Sequence, residues 1–464
     1  MRDAATIATG SWRELLGREH LGTATVLAAG VALYATNEFL TSSLLPSAVA
    51  DIGGQRFYAW VTTVYLVGSV VAATTVNPLV IRFGPRLSYL LTLSVFGAGS
   101  VGSALAPSME MLLVARAVQG VAGGLVAGLG YAVINAALPT WLWTRASALV
   151  SAMWGVGTLL GPAAGGLFAQ FGMWRWAFGS LAAMTAVTAA LVPGALPRRR
   201  PAGSPAAATS RIPVWSLLLL GAAALAVSVA SVQHTASATA VLLAAGVGLV
   251  VCFVMVDQRT RAAVLPRTAF GPGPLKWMYL TTGLLMAAAM AGMYVPLFGQ
   301  RLALLVPLVA GFLGAALAVG WTLSEILSAS VSRRHIAVWL VKVAPLVMAT
   351  GLALAAVSLR ADPTWPVVAI WAVALFTVGA GVGIAWPHLS AWIMGAVDDP
   401  VEAGAAAAAI NTVQLISGAF GAGLAGVVVN MVTGGEVSSA RWLFAVFAVL
   451  AAVGAVVSFR SRPA

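Results

Sequence analysis

Long apolar segments alternate with short polar stretches along almost the whole chain. Fourteen of the apolar segments have about 20 residues or more, the length that crosses a bilayer core. Such segments predict membrane-spanning helices, because a helix bonds its own backbone polar groups internally. The predicted spans are 21–46, 57–81, 87–106, 109–138, 145–170, 174–196, 213–233, 238–257, 275–299, 302–329, 336–358, 364–395, 403–432 and 439–459.

Two polar stretches divide these spans into groups of six, two and six. The first, 197–211, is rich in Pro, Ser and Arg and is typical of a flexible linker, and the second is 257–267. We therefore predict an all-α polytopic membrane protein with three parts. These are an N-terminal six-helix half (1–196), a segment with the cytoplasmic linker, two inserted helices and a connecting loop (197–274), and a C-terminal six-helix half (275–464).

Composition supports a membrane protein, and the basic residues indicate its orientation. The chain is 60% hydrophobic and 8% charged, with a mean hydropathy of +0.96, which excludes a soluble multidomain protein. A net charge of +12 would suggest a nucleic-acid partner in a soluble protein. Here 19 of the 25 Lys and Arg residues fall on the side that carries both termini. This bias predicts a cell-membrane protein with both termini in the cytoplasm and no nucleic-acid partner.

Two opposite charges lie inside the first and fourth predicted spans. Glu38 is eight residues from the outer end of its span and Arg116 is seven residues from the outer end of its own. At 1.5 Å per residue these depths are about 12 and about 10 Å, so both side chains are expected at one level. Because intramembrane charge marks functional sites, the pair predicts proton coupling, with the carboxylate neutralised by the guanidinium or by a proton. The alternative is a static salt bridge that orders this half.

A second group of ionisable residues lies near the inner ends of the C-terminal spans. Glu325, Lys342 and His388 are each within about 6 to 10 Å of those ends, and Glu325 can pair with Lys342. One interpretation is a role in coupling. The other is structural, because a lysine extends to the interface and a histidine can bond to a neighbouring helix. The sequence leaves open whether Glu38 or Glu325 is the main proton carrier.

A methionine stripe suggests either packing or a substrate cavity. Met286, Met290 and Met293 recur at spacings of four and three, and Tyr294 extends the same helical face. Packing against a neighbouring helix is the first interpretation, and a soft, polarizable lining for apolar substrates is the second. Further candidate lining residues are Asn37, Gln119 and Gln414.

The chain lacks the residue patterns that nucleotide binding, metal binding and nucleophilic catalysis require. There is no GxxxxGK[ST] loop for a nucleotide, no cluster with metal-ligand spacing and no nucleophile with a base at motif spacing. The single cysteine, Cys252, excludes an intramolecular disulfide. We therefore expect neither an enzyme nor a cofactor or metal.

Four segments resemble the major facilitator superfamily, and more narrowly its fourteen-span drug:proton antiporters. Segment 113–124, LVARAVQGVAGG, is similar to the fourth-helix motif through Arg116, Gln119 and Gly120. Segment 37–52, NEFLTSSLLPSAVADI, resembles the first-helix segment, with Glu38 in the acidic role. Segment 77–86, NPLVIRFGPR, keeps three residues of the loop motif: Arg82, Gly84 and Arg86. Segment 155–166, GVGTLLGPAAGG, matches the fifth-helix antiporter motif at Gly157, Gly161, Pro162, Gly165 and Gly166.

This resemblance implies both a fold and a function. The fold is the major facilitator fold, two six-helix bundles with substrate sites between them near the midplane, here with two additional helices. The function is multidrug efflux, the export of lipophilic, often cationic molecules by alternating access, driven by the proton gradient without a cofactor. Expected partners are small lipophilic substrates, protons and membrane lipids, and the expected state is a monomer. The alternatives are a lipid or glycolipid exporter of the same fold, a nutrient symporter and a non-transporting scaffold or receptor.

Overall fold

The computed structural model describes residues 11–73, 75–197, 213–233, 235–260, 263–331, 333–396 and 400–461, with a few helix side chains left out. The predicted linker, apart from residue 197, lies outside these ranges. The described residues form α-helices and short 3-10 turns, with no strand among them. Twelve helices in this part of the chain are long and apolar enough to cross a membrane, so the protein is a multi-pass membrane protein.

The described helices before the linker form one group. A short helix, α1 (Trp12–Leu15), is capped by Ser11, whose side chain accepts from the backbone N–H of Glu14 at 3.2 Å. 3-10 turns at Gln55–Phe57 and Thr140–Leu142 lead into the third and sixth helices of this group. We call α2–α7 the N-half: α2 (Leu21–Ile52), α3 (Tyr58–Ala73), α4 (Val76–Ala104), α5 (Met109–Ala137), α6 (Trp143–Gln170) and α7 (Trp174–Ala195).

A second group follows an inserted pair, α8 (Val214–Ala230) and α9 (Ala236–Arg259). Its first span is interrupted, because a 3-10 turn at Met290–Tyr294 separates two helices. We call α10–α16 the C-half: α10 (Leu275–Ala289), α11 (Val295–Leu302), α12 (Pro307–Ala329), α13 (Arg334–Ser358), α14 (Trp365–Gly395), α15 (Pro400–Met431) and α16 (Gly435–Ser458). Across the seam between the halves, α3 packs against α15 and α6 packs against α12.

The inserted helix α8 contacts both halves, through α3 and α15. From the N-half, Trp60 Nε1 donates to the carbonyl of Ser228 at 2.8 Å. From the C-half, Asn430 Nδ2 donates to the carbonyl of Ser231 at 3.0 Å, and also to that of Arg56 at 2.8 Å. The carbonyls at the end of α8 are therefore capped by one donor from each half, and α8 lies across the seam.

The two halves meet at the end of the bundle opposite both chain termini. We call this the distal end, with the loops 53–57, 303–306 and 432–434. The Tyr58 ring stacks on Tyr294 at 4.7 Å, and the Tyr58 hydroxyl donates to the carbonyl of Met293 at 3.3 Å. Arg301 donates to Gln55 Oε1 at 2.6 Å. These contacts join the N-half to the C-half, so the structure is closed at its distal end.

Two predicted spans need separate comment. Val214–Ala230 is apolar but has only 17 residues, so it is shorter than the twelve membrane-crossing helices. α2 has 32 residues but is not among those twelve, because Asn37, Glu38 and neighbouring hydroxyl side chains lower its hydropathy.

Three predicted boundaries are wrong: the end of the first span, the end of the second span, which lies at Ala73 and not at 81, and the start of the third span. α2 continues to Ile52, beyond the predicted end at residue 46. The predicted loop at 82–86 lies within α4, which starts at Val76 and departs from helical geometry at Gly84, where φ is 74°. A glycine followed by proline makes that break possible, because glycine tolerates positive φ and proline cannot donate to the preceding turn.

Candidate functional site

Arg116 is the buried charge on which the site is built. Ser108 caps α5 by accepting from the N–H of Met111 at 3.5 Å, which places Arg116 two turns into the helix. Its side chain is only 2% exposed. Since a guanidinium stays charged, its five N–H donors need partners at this depth.

Neutral groups supply those partners. Arg116 Nη1 donates to Asn37 Oδ1 at 3.0 Å and to Gln119 Oε1, and Nε donates to the carbonyl of Val61 at 3.5 Å. Gln119 Nε2 in turn donates to Ser100 Oγ at 2.8 Å. The network therefore joins α5 to α2, α3 and α4. Asn37 and Gln119, two candidate lining residues, are brought together here, and both are fully buried.

The predicted ion pair between Glu38 and Arg116 is not formed. In the part of the chain that the structure describes, the ion pairs are Arg175–Asp51 and Arg301–Glu436, both near the distal end. Successive residues of a helix point about 100° apart. Because Asn37 faces the guanidinium, the half-buried Glu38 beside it points elsewhere. Asn37, the neighbour of Glu38, lies at the same depth as Arg116. Glu38 and Arg116 still interact electrostatically, without direct contact.

The second predicted charge group is divided. Within α12, Trp321 Nε1 donates to Glu325 Oε2 at 3.0 Å. His388 Nε2 on α14 lies 3.0 Å from Ser328 Oγ of α12. Lys342 lies elsewhere, with Nζ 5.4 Å from the centre of the Phe459 ring in α16. The predicted Glu325–Lys342 pair is therefore wrong, because α13 turns Lys342 towards α16 and away from α12.

The glycines of the fifth-helix motif allow very close helix packing. A Cβ atom on Gly161 would lie 2.5 Å from the Cβ of Phe39, and one on Gly165 would lie 2.5 Å from the carbonyl oxygen of Leu40. Gly157 meets α2 in the same way, 2.5 Å from the Cβ of Ala35. These distances are too short for any side chain, so three motif positions dock α6 on α2.

Two other motif residues face the C-half. A Cβ atom on Gly166 would lie 2.6 Å from the Cα of Leu308 in α12. One on Gly311, also in α12, would lie 3.3 Å from the carbonyl oxygen of Pro162. The motif thus takes part both in a contact within the N-half and in a contact across the seam at its distal part.

The loop motif contributes one fixed contact. Arg86 Nε donates to the carbonyl of Leu196 at 2.8 Å and ties α4 to the end of α7. Arg82 is exposed and lies 5.3 Å from the ring centre of Phe83. Gly84 supplies the break in α4 described above.

The methionine stripe is not one helical face. The 3-10 turn at Met290–Tyr294 changes the direction of the side chains, so Met293 and Tyr294 lie against Tyr58 of the N-half. Met286 is buried and Met290 is half-buried. Gln414 is half-buried on α15 and is not among the described hydrogen-bond partners of Arg116.

Sequence reasoning missed an aromatic group beside Arg116. The guanidinium carbon lies 4.2 Å from the ring centre of Tyr65 in α3. Tyr65 packs on Tyr34 at 6.2 Å, and Tyr34 meets the edge of Trp154 at 5.5 Å. A tyrosine inside an apolar span is the signal that could have found it, since its hydroxyl needs a partner when buried.

Comparisons with known proteins agree with this architecture. The family model of the Major Facilitator Superfamily matches residues 27–422. A "probable multidrug-efflux transporter" of Mycobacterium tuberculosis is 62% identical over 456 residues, which cover 98% of this chain and 97% of that protein.

Two solved structures share the fold. The nucleoside transporter NupG has a TM-score of 0.67 at 14% identity, over 95% of this chain and 98% of that one. A bacterial homologue of the human lysosomal transporter Spinster has a TM-score of 0.66 at 14% identity, over 96% and 98%. At such identity these two likenesses concern the fold alone.

Proposed function

The chain belongs to the major facilitator superfamily, and we propose that it is a proton-coupled multidrug exporter. Its substrates are lipophilic, often cationic small molecules, which it moves out of the cytoplasm by alternating access. The support for drug export is the 62% identical relative, whose name states that activity. The support for proton coupling comes from the site itself.

One arrangement carries this proposal: a buried arginine is bonded to neutral groups, beside a carboxylate that has no ion-pair partner among the described residues. Arg116 uses Asn37, Gln119 and a backbone carbonyl, and so leaves Glu38 available. Glu38 is half-buried in the first helix of the N-half. A carboxylate in that position can bind either a proton or a cationic drug, because both compete for the same negative charge.

In the proposed cycle, Glu38 takes up a proton when the distal end is open. It releases this proton at the opposite end as a cationic substrate binds. Arg116 keeps a fixed positive charge near the carboxylate through the cycle. The close packing at Gly161 and Gly165 keeps α2 and α6 moving together, so that the halves close tightly and limit proton leak.

The larger organisation is proposed on the same basis. We assign fourteen spans, adding α2 and Val214–Ala230 to the twelve helices that meet the length and hydropathy requirement. The three parts are 1–196, 197–274 and 275–464. The basic residues support a cell-membrane protein with cytoplasmic termini. We propose a monomer in contact with lipids, whose work is transport and not catalysis.

Drug-induced proton release tests the role of Glu38. Purified protein in detergent or nanodiscs receives a cationic dye, and the released protons are counted in weak buffer. We expect release from the wild type and none from Glu38→Gln. The matched control is Glu325→Gln, which removes the half-buried acid near the end of α12 and is expected to leave release intact.

The result shows whether Glu38 or Glu325 releases the proton. Normal release from Glu38→Gln, with release lost in Glu325→Gln, would transfer the proton to the second group. Efflux from a pump-deficient host should also stop when an uncoupler collapses the proton gradient. Efflux that continues after uncoupling would refute proton coupling altogether.

A further inference from the structure

The ring of Tyr65 lies against the buried guanidinium, and the mechanism above gives it no role. We infer that Tyr65 is a positioning residue for proton coupling, whose ring face holds Arg116 away from Glu38. This inference rests on the proposed function, since it concerns the same carboxylate. It assigns a third residue, on a third helix, to the coupling site.

The geometry favours a strong interaction between ring and cation. The guanidinium carbon lies 4.2 Å from the ring centre, well inside the about 6 Å at which such contacts act. Arg116 and Tyr65 are 2% and 1% exposed, so water does not weaken the attraction. The ring of Tyr34 is stacked on that of Tyr65, with the ring centres 6.2 Å apart.

The hydroxyl of Tyr65 has no such role. It is buried next to the side chain of Asn37, and neither this hydroxyl nor Asn37 Nδ2 makes a hydrogen bond of normal geometry among the described residues. It sits over Gly123 of α5, where a Cβ atom would collide with it. A buried hydroxyl without a partner destabilises a fold. The ring is the part of this side chain that contacts the guanidinium, and phenylalanine should retain that contact.

Apart from Tyr65, the described partners of Arg116 are neutral groups. Tyr34 and Tyr65 are the titratable groups that act on Glu38 and Arg116 from α2 and α3. The charged residues of the other helices packed around the site lie nearer to the ends of the bundle among the described side chains. They are Arg82 and Arg86 on α4, Glu110 on α5, Arg145 on α6, Arg175 on α7, Arg301 on α11 and Glu325 on α12.

Removing electron density from the ring face should therefore change the partner of Arg116. Without the ring attraction, the guanidinium can turn to the carboxylate of Glu38. The ion pair then competes with proton binding, so more acid is needed to protonate the site. We expect the pH midpoint of drug-induced proton release to fall by about one unit, a tenfold change in proton affinity.

A graded series at position 65 tests this expectation. Phenylalanine and its mono-, di- and trifluorinated forms are placed there by nonsense suppression, because fluorine weakens the negative ring face with little change in shape. We expect Tyr65→Phe to keep the wild-type midpoint and to be at least as heat-stable. The midpoint should then fall step by step with fluorine number. Trifluorophenylalanine at Tyr89, a buried ring with no described cation over it, controls for incorporation.

The outcomes are distinct. A midpoint that stays constant across the series in folded protein overturns the role of the ring. A shift that is already complete in Tyr65→Phe overturns it too, because the hydroxyl would then be responsible. Proton release that persists in Glu38→Gln refutes the proposed function instead. If Glu38→Gln releases no protons and the midpoint stays constant across the fluorinated series, only the inference about Tyr65 is refuted.

Discussion

Gly165 and Gly166 are neighbours in α6 that face different partners, and this difference predicts opposite effects for the same substitution. A methyl group on Gly165 would meet the carbonyl oxygen of Leu40 at 2.5 Å, inside the N-half. A methyl group on Gly166 would meet the Cα of Leu308 at 2.6 Å, across the seam in the C-half. The first contact persists when the halves rock, whereas the second exists only while the distal end is closed.

The size of the expected shift between the closed and open states follows from the crowding around the added methyl group. An added methyl group in a tightly packed interface destabilises it by about 1–3 kcal/mol. Gly166→Ala therefore disfavours the closed state by about 5- to 150-fold relative to the open one. A distal-open state populated at about 1% would rise to about 5–60%. The gain in helix propensity of about 1 kcal/mol is the same for both alanines and cancels when the two are compared.

Distances between spin labels can measure this shift. The labels are placed at Phe171 and Val306, two exposed distal positions in different halves, after Cys252 has been replaced by serine. We expect Gly166→Ala to add a longer distance while its Tm stays near that of the wild type. Gly165→Ala should lower Tm and leave the distance distribution unchanged.

Two results would refute this reasoning. One is a lowered Tm for Gly166→Ala with no longer distance, which would mean that the Leu308 contact is permanent. The other is a longer distance for Gly165→Ala, which would show that α6 moves relative to α2 during the transition.

Two further predictions follow from the site. Arg116→Ala should abolish active efflux while the protein still inserts, because Asn37 Oδ1 loses its donor and the fixed positive charge disappears. Efflux and the amount of membrane-bound protein are measured together. Unchanged efflux would reduce Arg116 to a structural residue. Lys342→Met should leave drug-induced proton release unchanged, since the ammonium lies over Phe459 and away from Glu325, and a lost or shifted release would contradict that placement.

The span pattern was predictable because bilayer thickness fixes the length of an apolar helix, and most boundaries agree within a few residues. The burial of Arg116 was also predictable, because an arginine in an otherwise apolar span must face the interior of the bundle. The close approach at Gly157, Gly161 and Gly165 followed from small residues at helical spacing. These features depend on the local sequence and on the apolar bilayer core that surrounds the helices.

The direction in which side chains point was not predictable. Depth along a helix is read from residue counting, but the choice between Asn37 and Glu38 as partner depends on a rotation of about 100°. The same limit explains Lys342, whose helix turns it towards α16. The 3-10 turn at Met290–Tyr294 has no marker in the apolar pattern, and it displaced the expected stripe. Tyr65 stands out in the sequence as a tyrosine inside an apolar span, but its contact with Arg116 depends on which helices are neighbours.

The attachment of α8 to both halves has a consequence for the resting conformation of the protein. Its terminal carbonyls bind Trp60 of the N-half and Asn430 of the C-half at the same time. When the halves separate at the distal end, α8 can follow only one of them, and about one hydrogen bond, worth about 0.5–1.5 kcal/mol, is lost. The attachment of α8 thereby biases the protein towards the state that is closed at the distal end.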